Sequence, residues 1–282
     1  ETYDLCINVF NHNVSPYENP TVLINSKGTE IDAVAFYEYR KKWIIINKAL
    51  EEDFKAIKEI DSGDFSIISQ DDEGKTWIIA FEHDNGPVSY YSFNRELKKG
   101  TFIFYNKPEL NNYTLSPVEE VTFSSRDNMT IHGYITYPAG IKREKLPLVL
   151  LVHQGPWQRD IWEYNPVVQW LAGRGYACLQ INYRGSTGYG REFLNAGNKE
   201  WGGKMQEDLI DGVNWAIEHG IADPERIAIY GKGYGGYAAL AGVVFTPHIF
   251  CCAIAIQCPG NLITFLQSLP KYWKHQNRMI LE

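Results

Sequence analysis

Five consecutive positions, Gly231-Lys232-Gly233-Tyr234-Gly235, have the spacing of a motif that presents a catalytic nucleophile. They follow a short apolar run, Ile227–Tyr230, and lead into an alanine-rich run, which predicts a buried strand, a sharp turn and a helix. In the signature Gly-x-Ser-x-Gly, such a turn holds a serine whose hydroxyl attacks an acyl group. Here Gly233 occupies the position of the serine, and Gly236 extends the glycine frame. The pattern therefore predicts an acyl-transfer site without its attacking oxygen.

The same turn has a second interpretation, because glycine-rich turns before a helix also bind phosphates. The spacing Gly231-x-Gly233-x-x-Gly236 imitates the dinucleotide fingerprint, whereas the pattern Gly-x-x-x-x-Gly-Lys-Ser/Thr is absent. A dinucleotide fingerprint usually follows the first strand of its sheet, and several predicted strands precede this one. No spacing of cysteine and histidine resembles a zinc site. We therefore expect neither a cofactor nor a metal.

A second segment, Leu150–Trp157, ends an apolar run in a glycine turn upstream of the first. Hydrolases with a nucleophile turn place one oxyanion donor in such a segment, and the other is the backbone N–H after the nucleophile, here that of Tyr234. The alternative is a structural turn, in which His153 caps the strand and Gly155-Pro156 reverses the chain. A third segment, the glycine-rich loop Arg184–Gly190, contains Ser186, which we interpret as a loop residue because no strand-turn-helix pattern surrounds it.

The elements that position these segments alternate between strands and helices from about residue 121 onwards, which is typical of a parallel sheet with helices on both faces. The predicted strands are Val121–Ser125, Ile131–Tyr137, Leu146–His153, Tyr176–Asn182, Ile227–Tyr230 and Cys251–Gln257. Helices are predicted at Val167–Gly173, at Lys204–His219 and after the turn at Gly233.

Residues 20–120 have a different pattern, of short aromatic-rich runs separated by turn signals, which predicts antiparallel strands. The predicted strands are Ala33–Tyr39, Trp43–Asn47, Phe65–Ser69, Thr76–Phe81, Ser89–Phe93 and Thr101–Tyr105. The last four have the size of one β-propeller blade, and a plain antiparallel meander is the alternative. One helix is predicted at Leu50–Ile60, with Leu50, Phe54 and Ile57 on its buried face.

The charge also changes sign along the chain, from −9 over residues 1–120 to +2 over residues 121–282. This favours a domain boundary near residue 120, or else two differently solvated surfaces. The total charge of −7 argues against a nucleic-acid partner, and no apolar run is long enough to span a membrane.

The sequence begins with neither an initiator Met nor a signal-peptide pattern, and we interpret its start as a cut end. It has five cysteines, of which Cys178, Cys251 and Cys252 lie in apolar runs. We expect these to be buried free thiols in a reducing compartment. The lack of a signal-peptide pattern leads us to expect a cytoplasmic protein.

Together these segments resemble the prolyl oligopeptidase family of serine peptidases, in the branch of the acylaminoacyl peptidases. The matching segments are Val152-His153-x-Gly155-Pro156-Trp157, Tyr183–Gly190, Trp201–Met205, Gly220–Pro224, Tyr234–Leu240, Gly74–Trp77 and Gly86–Tyr91. The resemblance implies an incomplete α/β-hydrolase fold, with a mostly parallel sheet and helices on both faces, preceded by the last blades of a β-propeller. It implies that residues 1–118 are propeller blades and residues 119–282 the N-terminal two-thirds of the catalytic domain.

The resemblance also implies that short or N-acylated peptides are hydrolysed by acyl transfer to serine, with a triad in the chain order Ser, Asp, His. Gly233 stands at the nucleophile position, and the backbone N–H groups of Gln154 and Tyr234 match the oxyanion donors. The residues that support this site are Gly231, Lys232, Gly235, Gly236, His153, Gly155 and Pro156.

The chain departs from the family pattern at the site itself. The family usually has His-Gly-Gly-Pro where this chain has His153-Gln154-Gly155-Pro156, and Gly-Gly-Ser-Tyr-Gly-Gly where it has Gly231–Gly236. The resemblance implies that the aspartate and histidine of the triad lie beyond Glu282. We therefore expect the chain to be inactive as it stands. The alternatives are a pseudopeptidase that binds peptides or protein partners, and an esterase on the same fold. The expected ligand is a peptide, and both a homo-oligomer and association with a C-terminal remainder chain are left open.

Overall fold

The computed structural model describes residues 21–270, which divide into two compact units. One unit holds residues 21–117 together with the segment 161–169. The other holds residues 118–160 and 170–270.

The first unit contains two antiparallel sheets, one of three strands and one of four, each in sequence order. The three-stranded sheet consists of β1 (Thr21–Ile24), β2 (Ile31–Tyr37) and β3 (Lys41–Ile45). The four-stranded sheet consists of β4 (Asp64–Gln70), β5 (Thr76–Glu82), β6 (Ser89–Asn94) and β7 (Lys99–Tyr105). The six strands predicted in this region are all present, within two residues at each end, and β1 is an additional strand.

Helix α1 (Glu51–Lys58) covers the core of this unit, after a turn of 3₁₀ helix at Lys48–Leu50. The predicted buried face is confirmed, because Leu50, Phe54 and Ile57 are each at most 2% exposed. They pack with aromatic residues that alternate along the strands, among them Phe65, Trp77, Phe81 and Phe93. A second 3₁₀ turn, Pro108–Asn112, follows the last strand.

The second unit is built on one six-stranded sheet in the order β13-β12-β10-β11-β9-β8. Its strands are β8 (Val118–Ser124), β9 (Thr130–Thr136), β10 (Leu146–Val152), β11 (Ala177–Asn182), β12 (Ala222–Lys232) and β13 (Cys252–Ile256). Strand β10 pairs in parallel with β11 and β12, and β12 pairs in parallel with β13. The hairpin β8–β9 is antiparallel and joins the sheet through β11.

The connections between the parallel strands run through helices, as the alternating pattern predicts. These are α2 (Pro166–Ala172), α3 (Arg191–Asn195), α4 (Lys204–Glu218), α5 (Tyr234–Phe245) and α6 (Leu262–Ser268). Strands β10 and β11 are buried along almost their whole length, as is typical of central strands in a parallel sheet. Helix α4 adds Leu209 and Val213 to this core, and α5 adds Ala238 and Ala239.

Two expectations from the sequence differ from the structure. Cys178 is buried and has no disulfide, as predicted, but the prediction of burial is wrong for Cys251 and Cys252, which are exposed. They lie where β13 forms the edge of the described sheet, so only β12 flanks this strand. Strand β12 also begins at Ala222 rather than at Ile227, because it continues across Pro224 to pair with the start of β10.

Candidate active site

The two segments that the sequence singled out lie side by side at the carboxyl edge of the sheet. Strands β10 and β12 are parallel neighbours, and Val152 pairs with Gly231 at the last position of their ladder. The loop that begins at His153 therefore starts next to the turn that ends β12. Gln154 and Gly233, each two residues past that pair, come into contact.

The backbone at Gly233 has the conformation of a strained strand-to-helix turn, with φ 59° and ψ −122°. Residues that carry a side chain rarely adopt this backbone conformation. The neighbouring glycines are required by close packing, since a Cβ on Gly235 would lie 2.3 Å from the carbonyl oxygen of Val152. A Cβ on Gly231 would lie 2.1 Å from the carbonyl of Gly235. The turn thus brings helix α5 directly against the end of the sheet.

The remaining glycines and Lys232 complete the turn. Gly236 lies against Cys258, to whose Cβ an added Cβ would come within 2.7 Å. Lys232 is exposed and pairs with Ile256 of β13. The Gly233 amide donates to the carbonyl oxygen of Ile256 at 3.0 Å, which ties the turn to the neighbouring strand.

The residues matched to the oxyanion donors contact each other directly. The backbone N–H of Tyr234 donates a 2.8 Å hydrogen bond to the carbonyl oxygen of Gln154. The side chain of Gln154 is exposed, and its Cγ lies over Gly233. In this arrangement the Tyr234 amide is already satisfied by the chain itself.

His153 is a buried structural residue of the adjacent loop. Its Nδ1 lies 2.8 Å from the carbonyl oxygen of Gly155, its Nε2 lies 3.1 Å from the Ser186 hydroxyl, and its ring stacks on Tyr183 at 4.3 Å. Burial, with a smaller effect from the nearby positive charge of Arg159, lowers the pKa of His153 to about 4, so the ring is neutral near pH 7.

Ser186 is fully buried and donates a 2.7 Å hydrogen bond to the carbonyl oxygen of Tyr183. Its hydroxyl therefore does not face a substrate, which agrees with its interpretation as a loop residue. Pro156 is half-buried in the turn after Gly155.

A cluster of aromatic side chains packs around Tyr234, the first residue of the helix after the turn. The ring of Tyr234 packs edge-on against Trp201 at 4.9 Å and lies 5.4 Å from Tyr183, while Trp157 lies 6.3 Å from Trp201. Tyr234 is buried, and its hydroxyl has no hydrogen-bond partner among residues 21–270. Sequence reasoning assigned Tyr234 a backbone role only, and only its packing reveals that its side chain anchors the helix start.

Arg184 organises the loops behind the site, and sequence reasoning missed this role. Its guanidinium donates to both oxygens of Asp208 on α4, at 2.7 and 2.8 Å, and to both oxygens of Asp127 in the β8–β9 turn. Hydrogen bonds from Arg184 hold the pKa of Asp127 well below its usual range, whereas burial raises the pKa of Asp208 against the opposing effect of the same guanidinium. A single sequence gives no pattern that pairs Arg184, in the loop after β11, with Asp208, which lies 24 positions later on a helix.

Within residues 21–270, no cluster of three or more His, Cys, Asp or Glu side chains is arranged to hold a metal ion. None of the helices in the same range is long and apolar enough to cross a membrane.

Comparison of this chain with known proteins identifies its family. Residues 162–278 match the prolyl oligopeptidase family. A dipeptidyl aminopeptidase BIII from Pseudoxanthomonas mexicana is 42% identical over 251 residues, which are 86% of this chain and 36% of that protein. An acylamino-acid-releasing enzyme from Arabidopsis thaliana is 36% identical over 39% of this chain and 14% of its own.

Among solved structures, an acylaminoacyl peptidase in complex with Z-Gly-Gly-Phe-chloromethyl ketone aligns with a TM-score of 0.71 over 94% of this chain and 42% of that one. At 20% identity this likeness shows the fold alone. The second unit is accordingly an α/β-hydrolase domain of the kind found in these peptidases. The chain belongs to the prolyl oligopeptidase family of serine peptidases, and it spans 36% of the length of the dipeptidyl aminopeptidase that it matches.

Proposed function

We propose that this chain forms part of a serine-type peptidase scaffold that binds the amino-terminal end of short peptides and that, with Gly233 at the nucleophile position, does not cleave them. The observation that carries the proposal is the backbone of Gly233, which keeps the strained turn of a nucleophile without a hydroxyl to attack. A site that has lost its nucleophile keeps only a small residual rate.

The substrate class in this proposal comes from the relatives. The P. mexicana protein is named a dipeptidyl aminopeptidase and the A. thaliana protein an acylamino-acid-releasing enzyme. Both names describe release of one or two residues from the amino-terminal end of a chain. We extend that preference to this protein, with free or acylated amino termini as its ligands.

The role of the first unit also belongs to this proposal. Its four-stranded meander β4–β7, with a three-stranded meander before it, has the strand count and order of blades from a β-propeller. We propose that these sheets are blades of a β-propeller.

The experiment measures turnover and binding separately on the same protein, in its full natural length. Dipeptidyl and acyl-amino-acid p-nitroanilides are offered as substrates, and peptide binding is followed by calorimetry. We expect binding without release of p-nitroaniline. Turnover that a fluorophosphonate abolishes would show that another serine attacks, and would contradict the proposed loss of cleavage. Absence of binding to both substrate classes would contradict the proposed ligand.

A further inference from the structure

We infer that Gln154 closes the nucleophile site, by capping the oxyanion donor with its backbone carbonyl and by filling with its side chain the space above Gly233. This inference rests on the proposed function, because it assigns an inhibitory contact to the same site.

The backbone contact concerns the one N–H that follows the nucleophile position. An oxyanion donor must lie 2.7–3.1 Å from the oxygen that it stabilises. The Tyr234 amide already donates at 2.8 Å, and its acceptor is the carbonyl oxygen of Gln154. Because the amide has a single hydrogen, a substrate oxygen has to displace this carbonyl before it receives the same bond. The Gln154 carbonyl therefore acts as an internal substitute for the substrate oxygen.

The steric contact concerns the side chain that a nucleophile would need. A Cβ built on Gly233 would lie 2.9 Å from the Gln154 carbonyl oxygen and 2.9 Å from the Gln154 Cγ. Both distances are shorter than real Cβ atoms show, so a serine at position 233 and Gln154 in this conformation do not fit together. The glycine at 233 and the glutamine at 154 are thus a matched pair.

The contact between Gln154 and the turn at Gly233 can open without unfolding the surrounding structure. The Gln154 side chain is exposed, so moving it aside costs little packing. Rotation of the peptide between Gln154 and Gly155 changes ψ of the first residue and φ of the second, and glycine tolerates either sign of φ. Because the C=O and N–H of one peptide point in opposite directions, this rotation withdraws the Gln154 carbonyl and turns the Gly155 amide towards the turn. Opening would thus free the amide of Tyr234 and supply the amide of Gly155 as a second hydrogen-bond donor.

The first test measures the backbone contact in the protein as it is, with Gly233 retained. In Gln154→Gly the peptide is free to rotate, and we expect the amide of Tyr234 to exchange its hydrogen roughly tenfold faster or more, as an opening equilibrium shifted by about 1.4 kcal/mol gives. Lys142→Gly is the control, since the Lys142 side chain is 84% exposed and lies in the loop that precedes β10, at the opposite end of that strand from Gln154. Unchanged protection of Tyr234 in Gln154→Gly overturns the inference whatever the protein binds.

The second test restores a hydroxyl in the full natural protein. Fluorophosphonate labelling is compared among Gly233→Ser alone and the same change combined with Gln154→Ala or Gln154→Gly. We expect the rate to rise in that order, by roughly a hundredfold from first to last, the low end of what one oxyanion donor contributes. Equal labelling of all three overturns the closure while leaving the peptidase scaffold intact. Absence of labelling in all three folded variants also overturns the closure, whereas the proposed function is judged by the separate measurement of peptide binding.

Discussion

Arg184 and Asp208 form a buried, bidentate ion pair that joins the loop after β11 to the N-terminal part of helix α4. The Arg184 side chain is 3% exposed, the Asp208 side chain is fully buried, and the backbone N–H of Arg184 also donates to Asp208 at 2.9 Å. Asp127, in the β8–β9 turn, is a second acidic partner, and its Oδ1 accepts a 2.7 Å hydrogen bond from Nη2 of Arg184. Three segments distant in sequence are thus fixed behind the candidate site by one guanidinium.

Removal of the Asp208 carboxylate should lower the free energy of unfolding. Asp208→Asn removes one of the two carboxylates that pair with the buried Arg184, and Asp127 still faces the guanidinium. We therefore expect a loss of about 3 kcal/mol in the free energy of unfolding, the low end of what breaking a buried ion pair costs. Glu207→Gln is the matched control on the same helix. Glu207 also forms an ion pair, at 3.4 Å from Arg126, but both side chains are exposed to solvent, by 43% and 47%. Its expected effect is below about 1 kcal/mol. The check is urea denaturation, and equal effects of the two substitutions would contradict the structural role of the pair.

The buried His153 predicts a specific pH dependence. Its folded pKa of about 4 lies below the ordinary value of 6.5, so the unfolded chain binds the proton more readily. Stability from this group is present above pH 6.5 and is lost as the pH falls towards 4, by roughly 3 kcal/mol in total. His132, whose pKa burial also lowers, titrates in the same direction. The measurement is therefore the difference in unfolding free energy between the protein and His153→Gln across this range, and a constant difference would refute the assignment.

The contact between helix α5 and the sheet predicts which glycines tolerate a methyl group. Gly235→Ala places a Cβ 2.3 Å from the backbone oxygen of Val152, so helix and strand must separate, and we expect a cost of about 1–3 kcal/mol or more. Gly260→Ala is the control, because a Cβ there meets nothing within 4 Å. Thermal unfolding of the two variants decides the point, and tolerance of alanine at 235 would mean that the turn is looser than described.

The stability of the first unit depends on the packing of helix α1 against its core. Phe54 is 2% exposed and packs edge-on against Trp43 at 5.4 Å and Phe65 at 5.5 Å. We expect Phe54→Ala to destabilise the protein by about 3–5 kcal/mol through the cavity that it leaves. Ile68→Ala, on a side chain that is 56% exposed, should change stability by no more than about 0.5 kcal/mol. Chemical denaturation followed by tryptophan fluorescence reports on this core, since Trp43 lies within it.

Much of this architecture follows from periodicity and turn chemistry. The strands of the first unit, helix α1 and the strand-turn-helix at Gly233 are local patterns, and the structure has them within a few residues of the prediction. The short strand β1 and the short helix α3 were not predicted, because four or five residues carry too weak a pattern. The exposure of Cys251 and Cys252 depends on which strand ends the described sheet, and apolar composition alone does not contain that information.

The candidate site shows the same division. Its glycines and the position of its missing nucleophile are local and could be found by spacing. The hydrogen bond between Tyr234 and Gln154 could not, because it joins residues 80 positions apart through the pairing of two strands. The network of Arg184 was missed for the same reason: its partners lie in a turn and on a helix that only the folded chain brings together.

The pairing of Val152 with Gly231 also limits how this edge of the sheet can vary in length. Gln154 and Gly233 meet because each lies two residues beyond that pair. One residue inserted between either strand end and its turn would shift the two positions by about 3.3 Å, the rise per residue of a parallel strand. Natural variation at this edge should therefore occur by substitution at constant spacing, and an insertion should abolish the contact outright.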